Sequence, residues 1–426
     1  MTRQPRDAHT PGDDLMTTSP LLTGLGAELP ELRALYEDLH THPELSFEEE
    51  RTAAVVAGRL REQGWAVTEG VGGTGVVGVL ANGDGPVVLL RADMDALPVH
   101  EATGLPYASR TDGVMHACGH DMHVAWLLGA TGRLAAVRDG WRGTVVAVFQ
   151  PAEEVGGAPK MLADGFAERF PRPDVCLAQH VAAAPAGLVG TRAGALMAGA
   201  DSMRVTLFGR GGHGSTPEAT VDPVVLAAAV VMRLQTVVSR EVAAGQQAVV
   251  TVGSIHGGTK ENIIPDTVEL KINIRTATAA VRERVLAAVE RVVRAEAAAS
   301  AAPREPEFVT IDSFPVTYND PRATEAVQAA LSGEFPGLTF ELTSPVPNSE
   351  DFGAFGTALG VPSVYWFVGG ADHRLYEGVD LESLVRDGIP PQIPANHSPH
   401  FAPVPEPTIE TGVRALLAAA AHWLAP

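Results

Sequence analysis

The chain has 426 residues, more than one ordinary hydrophobic core holds, so two domains are expected. Its formal net charge of −20 argues against nucleic acid as a partner, because nucleic-acid binding needs a basic face, and favours solubility. Apolar runs stay short of the roughly 20 residues that span a bilayer, so no membrane partner is expected. Two cysteines are too few for a disulfide framework.

The N-terminal stretch, MTRQPRDAHTPGDDLMTTSP, is polar and lacks the apolar centre of a signal peptide. We interpret residues 1–24 as a disordered tail. Because neither a targeting segment nor a membrane segment is recognisable in the sequence, the expected location is the cytoplasm.

Helical and strand patterns alternate in the first part of the chain. Apolar residues recur at helical spacing in ELRALYEDLHTH, FEEERTAAVVAGRLREQG and AWLLGATGRLAAV, whereas PVVLLRADMD, GTVVAVFQPAEE and DVCLAQHV are apolar runs typical of buried strands. Such strands, separated by helices, predict a mainly parallel sheet, with the functional site beyond the carboxyl ends of its strands. The three runs end in polar side chains: Asp93 and Asp95, Glu153 and Glu154, Gln179 and His180.

From about residue 200 the pattern changes to strand, helix, two strands, helix and strand. The strands are DSMRVTLFGR, QQAVVTVGSI, DTVELKINIRT and PEFVTIDS, and the first helix has Asp222 as its N-cap and Pro223 in its first position. This βαββαβ order is typical of a ferredoxin-like domain. We therefore predict an α/β catalytic domain with a mainly parallel sheet, residues 25–198 and 312–426, split by an inserted α+β domain, residues 199–311.

The stretch MHACGHDMHV contains three histidines and a cysteine. Cys118 and His120 stand two residues apart on a glycine-containing loop at the start of a helix, so both side chains can reach one ion. A thiolate together with an imidazole favours Zn²⁺ over Mg²⁺ or Ca²⁺. His116 and His123, taken singly, are more simply hydrogen-bonded or solvent-facing residues, and His123 is expected to flank the site. Cys176 lies in an apolar strand pattern and is interpreted as a core residue.

Further metal ligands would have to come from distant parts of the chain. The candidates are Glu153 or Glu154, His180, and His397 or His400. Adjacent carboxylates at a strand end point to different sides, so one can bind a metal while the other stays free as a base, as in a metal hydrolase. The plainer interpretation of PAEEVGG is a turn with solvated acids.

Eight sequence pieces, in order, make the chain similar to a known family. They are HTHPELSFEE, LLRADMDALPVHEATGLPYAS, MHACGHDMH, FQPAEEVGGAPKMLADG, GRGGHGSTP, ENIIPDTVELKINIRT, NSEDFGAFG and NHSPHF. From about Leu32 onward the chain resembles the aminoacylase–hippurate hydrolase family, the amidohydrolase branch of the dinuclear-metal carboxypeptidases, which includes the indole-acetyl-amino-acid hydrolases. Wider relatives have histidine in place of Asp93 and aspartate in place of Cys118, so the thiolate pattern places the chain in this branch.

The resemblance implies two divalent metal ions, with Zn²⁺ favoured and Mn²⁺ or Co²⁺ as alternatives. The implied ligands are Cys118 on both ions, His120 and His180 on one ion, and Glu154 and His397 on the other. Glu153 would be the general acid/base, and Asp95 would orient a ligand from behind.

The resemblance also assigns residues of the inserted domain. His213, in GRGGHGSTP, would stabilise the oxyanion, often across a dimer, and Asn262 and Arg275 would hold the substrate carboxylate, to which a guanidinium pairs well. The plainer interpretations are a flexible surface turn for His213 and an exposed strand-end cation for Arg275. Glu218 and Pro159 depart from the pattern of the relatives near the recognition loops and leave the substrate open.

The resemblance implies a metal-dependent amidohydrolase that cleaves an N-acyl amino acid into a carboxylic acid and a free amino acid. A homodimer or higher homo-oligomer is expected. One alternative is a dipeptidase or carboxypeptidase on the same dinuclear centre. From other classes, the alternatives are a non-catalytic metal-dependent binding protein and a redox-sensing site at Cys118. Glu153, a carboxylate superfluous to metal binding, argues against a binding protein.

Overall fold

The computed structural model describes residues 20–379, 383–384 and 388–425. Most of the predicted tail, residues 1–24, lies outside these ranges. Pro20–Leu22 form a short 3₁₀-helix in which Leu21 and Leu22 are buried, so the packed chain begins before residue 25.

The described helices and strands follow the predicted order. The helices are α1 Leu25–Thr41, α2 Glu50–Glu62, α3 His120–Ala136, α4 Gly157–Ala163, α5 Phe166–Arg169, α6 Pro223–Glu241, α7 Ala279–Ala299, α8 Pro321–Glu334, α9 Gly353–Leu359 and α10 Pro405–Leu424. The strands are β1 Ala66–Val71, β2 Gly75–Asn82, β3 Val87–Asp93, β4 Gly143–Gln150, β5 Val175–Pro185, β6 Val189–Thr191, β7 Gly194–Met197, β8 Gly199–Phe208, β9 Gly212–His213, β10 Ala248–Gly257, β11 Ile263–Ile264, β12 Thr267–Thr276, β13 Glu307–Phe314, β14 Thr317–Asn319, β15 Thr339–Glu341 and β16 Ser363–Ala371.

The larger sheet has eight strands in the order β1-β2-β4-β3-β5-β16-β6-β15. Its four central strands, β4, β3, β5 and β16, are parallel neighbours, and antiparallel pairs occur toward the edges. Apolar side chains pack on both faces, with α3 and α10 on one and α4 and α9 on the other. This burial on two sides explains the uninterrupted apolar runs, and it confirms the predicted mainly parallel α/β sheet.

Strand β5 is longer than the sequence pattern predicts. The predicted strand stops at Gln179 and His180, whereas β5 continues to Pro185. Its pairing with β3 ends at Ala178, but its pairing with β16 continues, and this keeps the chain extended. His180 therefore lies inside a strand, just beyond the point at which the pairing with β3 ends.

The inserted unit is a four-stranded antiparallel sheet in the order β10-β12-β8-β13, with α6 and α7 packed on one face. This is the predicted βαββαβ arrangement, and β13 ends at Phe314. The predicted N-cap is confirmed, because the Asp222 carboxylate accepts the Val224 and Val225 amides and Pro223 begins α6.

Helix α6 is long and apolar enough to cross a membrane when only length and composition are considered, the one such helix in the described ranges. Its buried side chains, among them Leu226, Val230 and Leu234, belong to the apolar core beneath the smaller sheet. Packing within the inserted unit therefore accounts for one face of the helix, whereas Val225 and Met232 on the helix are exposed.

Candidate metal centre and active site

Polar side chains collect beyond the carboxyl ends of β3 and β4 and around His180 of β5, at the edge that the strand pattern predicts. Gly119, between Cys118 and His120, allows this part of the chain to approach the edge closely. Its φ is 83°, in the left-handed region, and a Cβ at this position would lie only 2.4 Å from Val181 of β5. Only glycine satisfies both conditions without strain. The glycine therefore lets the first turn of α3 pack against the strand that bears His180.

Two adjoining sets of potential metal ligands share the Cys118 thiol. The ligand atoms of Cys118, His120 and His180 lie within 4.8 Å of one another, and so do those of Cys118, Glu154 and His397. The Cys118 Sγ is 3.4 Å from His180 Nε2, and His397 Nε2 is 3.2 Å from Glu154 Oε1. The structure thus brings together all five predicted ligands in two groups, with the cysteine between them.

The two buried imidazoles are oriented as metal ligands require. His120 Nδ1 is 3.1 Å from Asp95 Oδ1, and His180 Nδ1 donates to the Val181 carbonyl at 2.7 Å. Over the part of the chain that the structure describes, the buried Nε2 of His120 has no hydrogen-bond partner. Because each Nδ1 is engaged from behind, each Nε2 can present a lone pair to a cation.

The surroundings of Cys118 disfavour a thiolate that has no cation beside it. Burial and the neighbouring Glu154 carboxylate raise the pKa of the Cys118 thiol. A coordinated thiol, by contrast, is deprotonated outright. The donor set has three buried members, Cys118, His120 and His180, with the half-buried Glu154 and the exposed His397 at its open side. Thiol, imidazole and carboxylate donors with an unpartnered buried imidazole nitrogen fit divalent metal ions.

Asp95 links the metal ligands to the acid pair. Its carboxylate accepts the backbone amides of Glu153 at 3.0 Å and Glu154 at 3.1 Å, in addition to its contact with His120. The Ser46 hydroxyl donates to it at 2.7 Å. Asp95 thus lies behind the ligands, in the place that the resemblance predicts.

The Glu153 side chain is 6% exposed and lies close to other carboxylates. Its carboxylate is within 4.8 Å of those of Glu350 and Asp351. Burial, together with the charges of Glu350 and Glu154, raises the pKa of Glu153 well above its ordinary value. A carboxylate in such surroundings has a high affinity for a proton, which suits a general base.

A buried arginine lies behind this acid cluster, and sequence reasoning missed it. Arg91 Nη1 donates to Asp93 at 2.6 Å, and Nη2 donates to Glu350 at 2.8 Å and to Asp351 at 3.3 Å. Buried charges persist only when they are paired. The sequence did contain a signal for this cluster. An arginine inside the apolar run PVVLLRADMD requires a buried acidic partner, and the stretch SEDF contains two acids, Glu350 and Asp351.

The remaining histidines of the motifs have other roles. His123 Nδ1 donates to Asp93 at 2.5 Å, and its Nε2 accepts the Val181 amide at 2.8 Å, so it flanks the site with both nitrogens engaged. Burial lowers the pKa of His116 to about 4, which keeps it neutral. His400 Nδ1 donates to the Ala102 carbonyl at 2.9 Å. Among the described residues, neither His116 nor His400 joins a group of potential ligands.

Of the three predicted residues of the inserted domain, Arg275 lies near the acid cluster, whereas His213 and Asn262 lie on the exposed surface. Arg275 is half-buried, and its guanidinium donates to the Ser349 hydroxyl at 3.0 Å, next to the acid cluster. His213 is exposed, and its Nδ1 accepts the Ser215 amide at 3.1 Å. Asn262 is also exposed, and its carbonyl accepts the Gly214 amide. Within the described ranges, no contact joins His213 or Asn262 to the metal ligands.

The fold and the site together define a class of protein. Paired ligand sets with a shared thiol, beside a buried carboxylate at the edge of a parallel sheet, are typical of a metal-dependent hydrolase. The family model of peptidase family M20/M25/M40 matches residues 89–390. The chain belongs to this family.

Individual relatives cover most of the chain. It is 38% identical over 337 residues to thermostable carboxypeptidase 2 of Saccharolobus solfataricus, covering 78% of this chain and 84% of the relative. It is 37% identical over 343 residues to the hippurate hydrolase of Campylobacter jejuni, covering 80% and 88%. The solved structure of the Bacillus subtilis YXEP protein, a dinuclear metal binding peptidase from the M20 family, matches with a TM-score of 0.74 and 29% identity, covering 93% of this chain and 98% of that one.

Proposed function

We propose that this protein hydrolyses the amide bond of an N-acyl amino acid, releasing a carboxylic acid and a free amino acid. The observation that carries the proposal is the Glu153 carboxylate, which is buried beside Glu154 in a site that already has five other potential ligands. A carboxylate not needed for binding metal is available for proton transfer. The hippurate hydrolase among the relatives supports this substrate class.

Each residue then has a defined task. Bound divalent ions would polarise the amide carbonyl and lower the pKa of water. Glu153 accepts a proton from the attacking water and returns it to the leaving nitrogen, so that one water is consumed for each amide cleaved. Asp95 fixes the position of the Glu153 backbone and the orientation of the His120 ring through its hydrogen bonds to both. Arg91 neutralises part of the acid cluster behind Glu153.

Recognition would come from the inserted domain. Arg275 would pair with the substrate carboxylate, and the contact of its Nη1 with Ser349, beside the acid cluster, supports this role. His213 would stabilise the oxyanion. It would reach the site either from a second copy of the chain or by closure of the inserted domain. Asn262, on the segment that pairs with the His213 loop, would complete the carboxylate site. Of these two routes, supply by a second copy would make the enzyme a homodimer or higher homo-oligomer, which is the assembly that we propose.

Zn²⁺ is the proposed metal, because a thiolate and imidazoles dominate the ligand set, and Mn²⁺ or Co²⁺ are the alternatives. The cytoplasm is the proposed location, and the similarity to the hippurate hydrolase and to thermostable carboxypeptidase 2 is consistent with a soluble enzyme.

The test is a mass-spectrometric screen of the metal-reconstituted enzyme against hippurate, N-acetyl amino acids and dipeptides. Release of free amino acids from the N-acyl substrates, faster than from dipeptides of the same amino acid, is the expected result. Two bound metals with no turnover over the whole panel would instead identify a metal-dependent binding protein.

A dipeptidase or carboxypeptidase activity is the second candidate. The 38% identity to a thermostable carboxypeptidase favours it. Both activities would use the same ions and Glu153, and they differ in whether the acyl side of the scissile bond bears an amino group. Faster cleavage of dipeptides than of N-acetyl amino acids in the screen would establish this second activity.

A further inference from the structure

Asn396 joins three separate segments of the metal centre. It immediately precedes His397, and its Nδ2 donates to the carbonyl oxygens of Cys118 and Val181, each at 3.1 Å. An amide nitrogen carries two hydrogens, so both bonds can form at once. One half-buried side chain thus ties the loop before α3, strand β5 and the loop that bears His397.

Strand β5 is held by its ladder with β16, but among the described residues the two loops have no such ladder to fix their positions. Cys118 and His397 both lie in loops, and they are 279 positions apart in the chain. His397 has φ 71°, a left-handed conformation that is strained for a non-glycine residue and persists only where its surroundings hold it. The His397 amide donates to the Ala117 carbonyl at 2.8 Å. The two contacts, from adjacent residues, fasten the strained loop onto the Cys118 loop.

The Val181 carbonyl is a shared acceptor. It receives His180 Nδ1 at 2.7 Å as well as the Asn396 amide. Because His180 Nδ1 is thereby fixed as the donor, its Nε2 is directed toward Cys118. Asn396 Nδ2 is itself 3.9 Å from the Cys118 Sγ. The asparagine is therefore placed behind both the thiol and one of the imidazoles.

We propose that Asn396 is a positioning residue of the metal centre, which holds the segments of Cys118, His180 and His397 at ligand distance before an ion binds. The inference rests on the metal site of the proposed function. Ordering ligands in advance removes an entropic cost that binding would otherwise bear. Loss of Asn396 should therefore weaken metal binding without weakening the rest of the fold.

The experiment compares Asn396→Ala and Asn396→Leu with the wild-type protein. Leucine has the same number and branching of side-chain heavy atoms as asparagine but donates no hydrogen bond. Ser398→Ala is the matched control, since the Ser398 hydroxyl lies in the same loop but accepts only the His400 amide, at 3.2 Å, among the described contacts. Zn²⁺ affinity is measured by competition with a chromogenic chelator, and the thermal unfolding midpoint is measured on each metal-free protein.

Both Asn396 variants should bind Zn²⁺ about 10–100-fold more weakly than wild type, the usual effect of losing a group that orients metal ligands. Ser398→Ala should bind like wild type, and the metal-free proteins should unfold at one common midpoint. Equal affinity in the Asn396 variants and wild type overturns the proposal. So does weaker binding accompanied by a lowered metal-free midpoint, which would mean general damage. A wild-type protein that binds no metal refutes the metal site itself.

Discussion

The two halves of the proposed active site are built in opposite ways. At the edge of the large sheet, Cys118, His120 and His180 are buried, and Asp95 holds His120 from behind, whereas His397 at the rim is exposed. On the inserted domain, His213 and Asn262 are exposed on a two-stranded ribbon formed by β9 and β11. The first half is assembled within one chain, whereas His213 and Asn262 of the second contact nothing of the first among the described residues.

This difference follows from what each half has to do. Metal ligands must be oriented in advance and shielded from water, because ordering them during binding would cost affinity. Groups that recognise a substrate must stay open until it arrives and can be completed by domain closure or by a second chain. Arg275 is intermediate, since it belongs to the inserted sheet but reaches Ser349 beside the acid cluster.

Removing the metal tests the first half most severely. Chelation should abolish turnover, and the Cys118 thiol of the metal-free protein should then be alkylated faster than in the metal-bound protein, because coordination occupies the sulfur. The rate of alkylation is followed by mass spectrometry, with buried Cys176 as an internal control. Equal labelling of Cys118 in both forms would contradict its role as a ligand.

The adjacent acids should respond differently to the same change. Glu153→Ala should keep its metal and lose roughly 10²–10⁴-fold in turnover, because the general base is gone. Glu154→Ala should lose metal, since its carboxylate faces His397. Metal content and turnover are measured on both variants. Release of metal by Glu153→Ala but not by Glu154→Ala would reverse the assignment.

His213→Ala tests whether the exposed half takes part in catalysis. Turnover should fall by about 10²–10³-fold, as for the loss of one oxyanion donor, with the metal content unchanged. His256→Ala, at another exposed histidine of the inserted domain, is the control and should behave as wild type.

Mixing subunits sharpens this test. If His213 acts in the site of a second chain, a mixture of His213→Ala and Glu153→Ala proteins should regain turnover well above either variant alone, because one site of each mixed dimer has both residues. No recovery after verified subunit exchange would place His213 in the site of its own chain.

Arg275→Ala should have the smallest effect on the chemical step. The substrate carboxylate keeps its charge throughout the reaction, so losing its partner should raise KM, by about 10–100-fold, and leave kcat nearly unchanged. Replacing the substrate carboxylate with an amide should cost wild type much and the variant little. Lys271→Ala, on the same strand, is the control. Equal discrimination by both enzymes would show that Arg275 does not bind the carboxylate.

Much of the fold could be predicted from local patterns. Uninterrupted apolar runs predicted the parallel strands, and the Asp222–Pro223 pair predicted the start of α6, because helix caps and strand burial are decided by neighbouring residues. The spacing of Cys118 and His120 likewise indicated a metal site, because two potential ligands that are neighbours in sequence can reach the same ion. The further ligands were assigned by resemblance, since single residues far apart in a sequence have no periodicity that connects them.

Tertiary structure decided the surroundings of those residues. Arg91 and Glu350 are 259 positions apart and meet only because β3 and the loop before α9 converge on one edge of the sheet. The choice of His397 over His400, and the contacts of Asn396, likewise depend on how distant loops pack together. The sequence by itself determined which elements form and which chemical groups they carry. Only packing decided which groups share a partner, because burial makes each unpaired charge or hydrogen-bonding group costly and so selects the arrangement that pairs them.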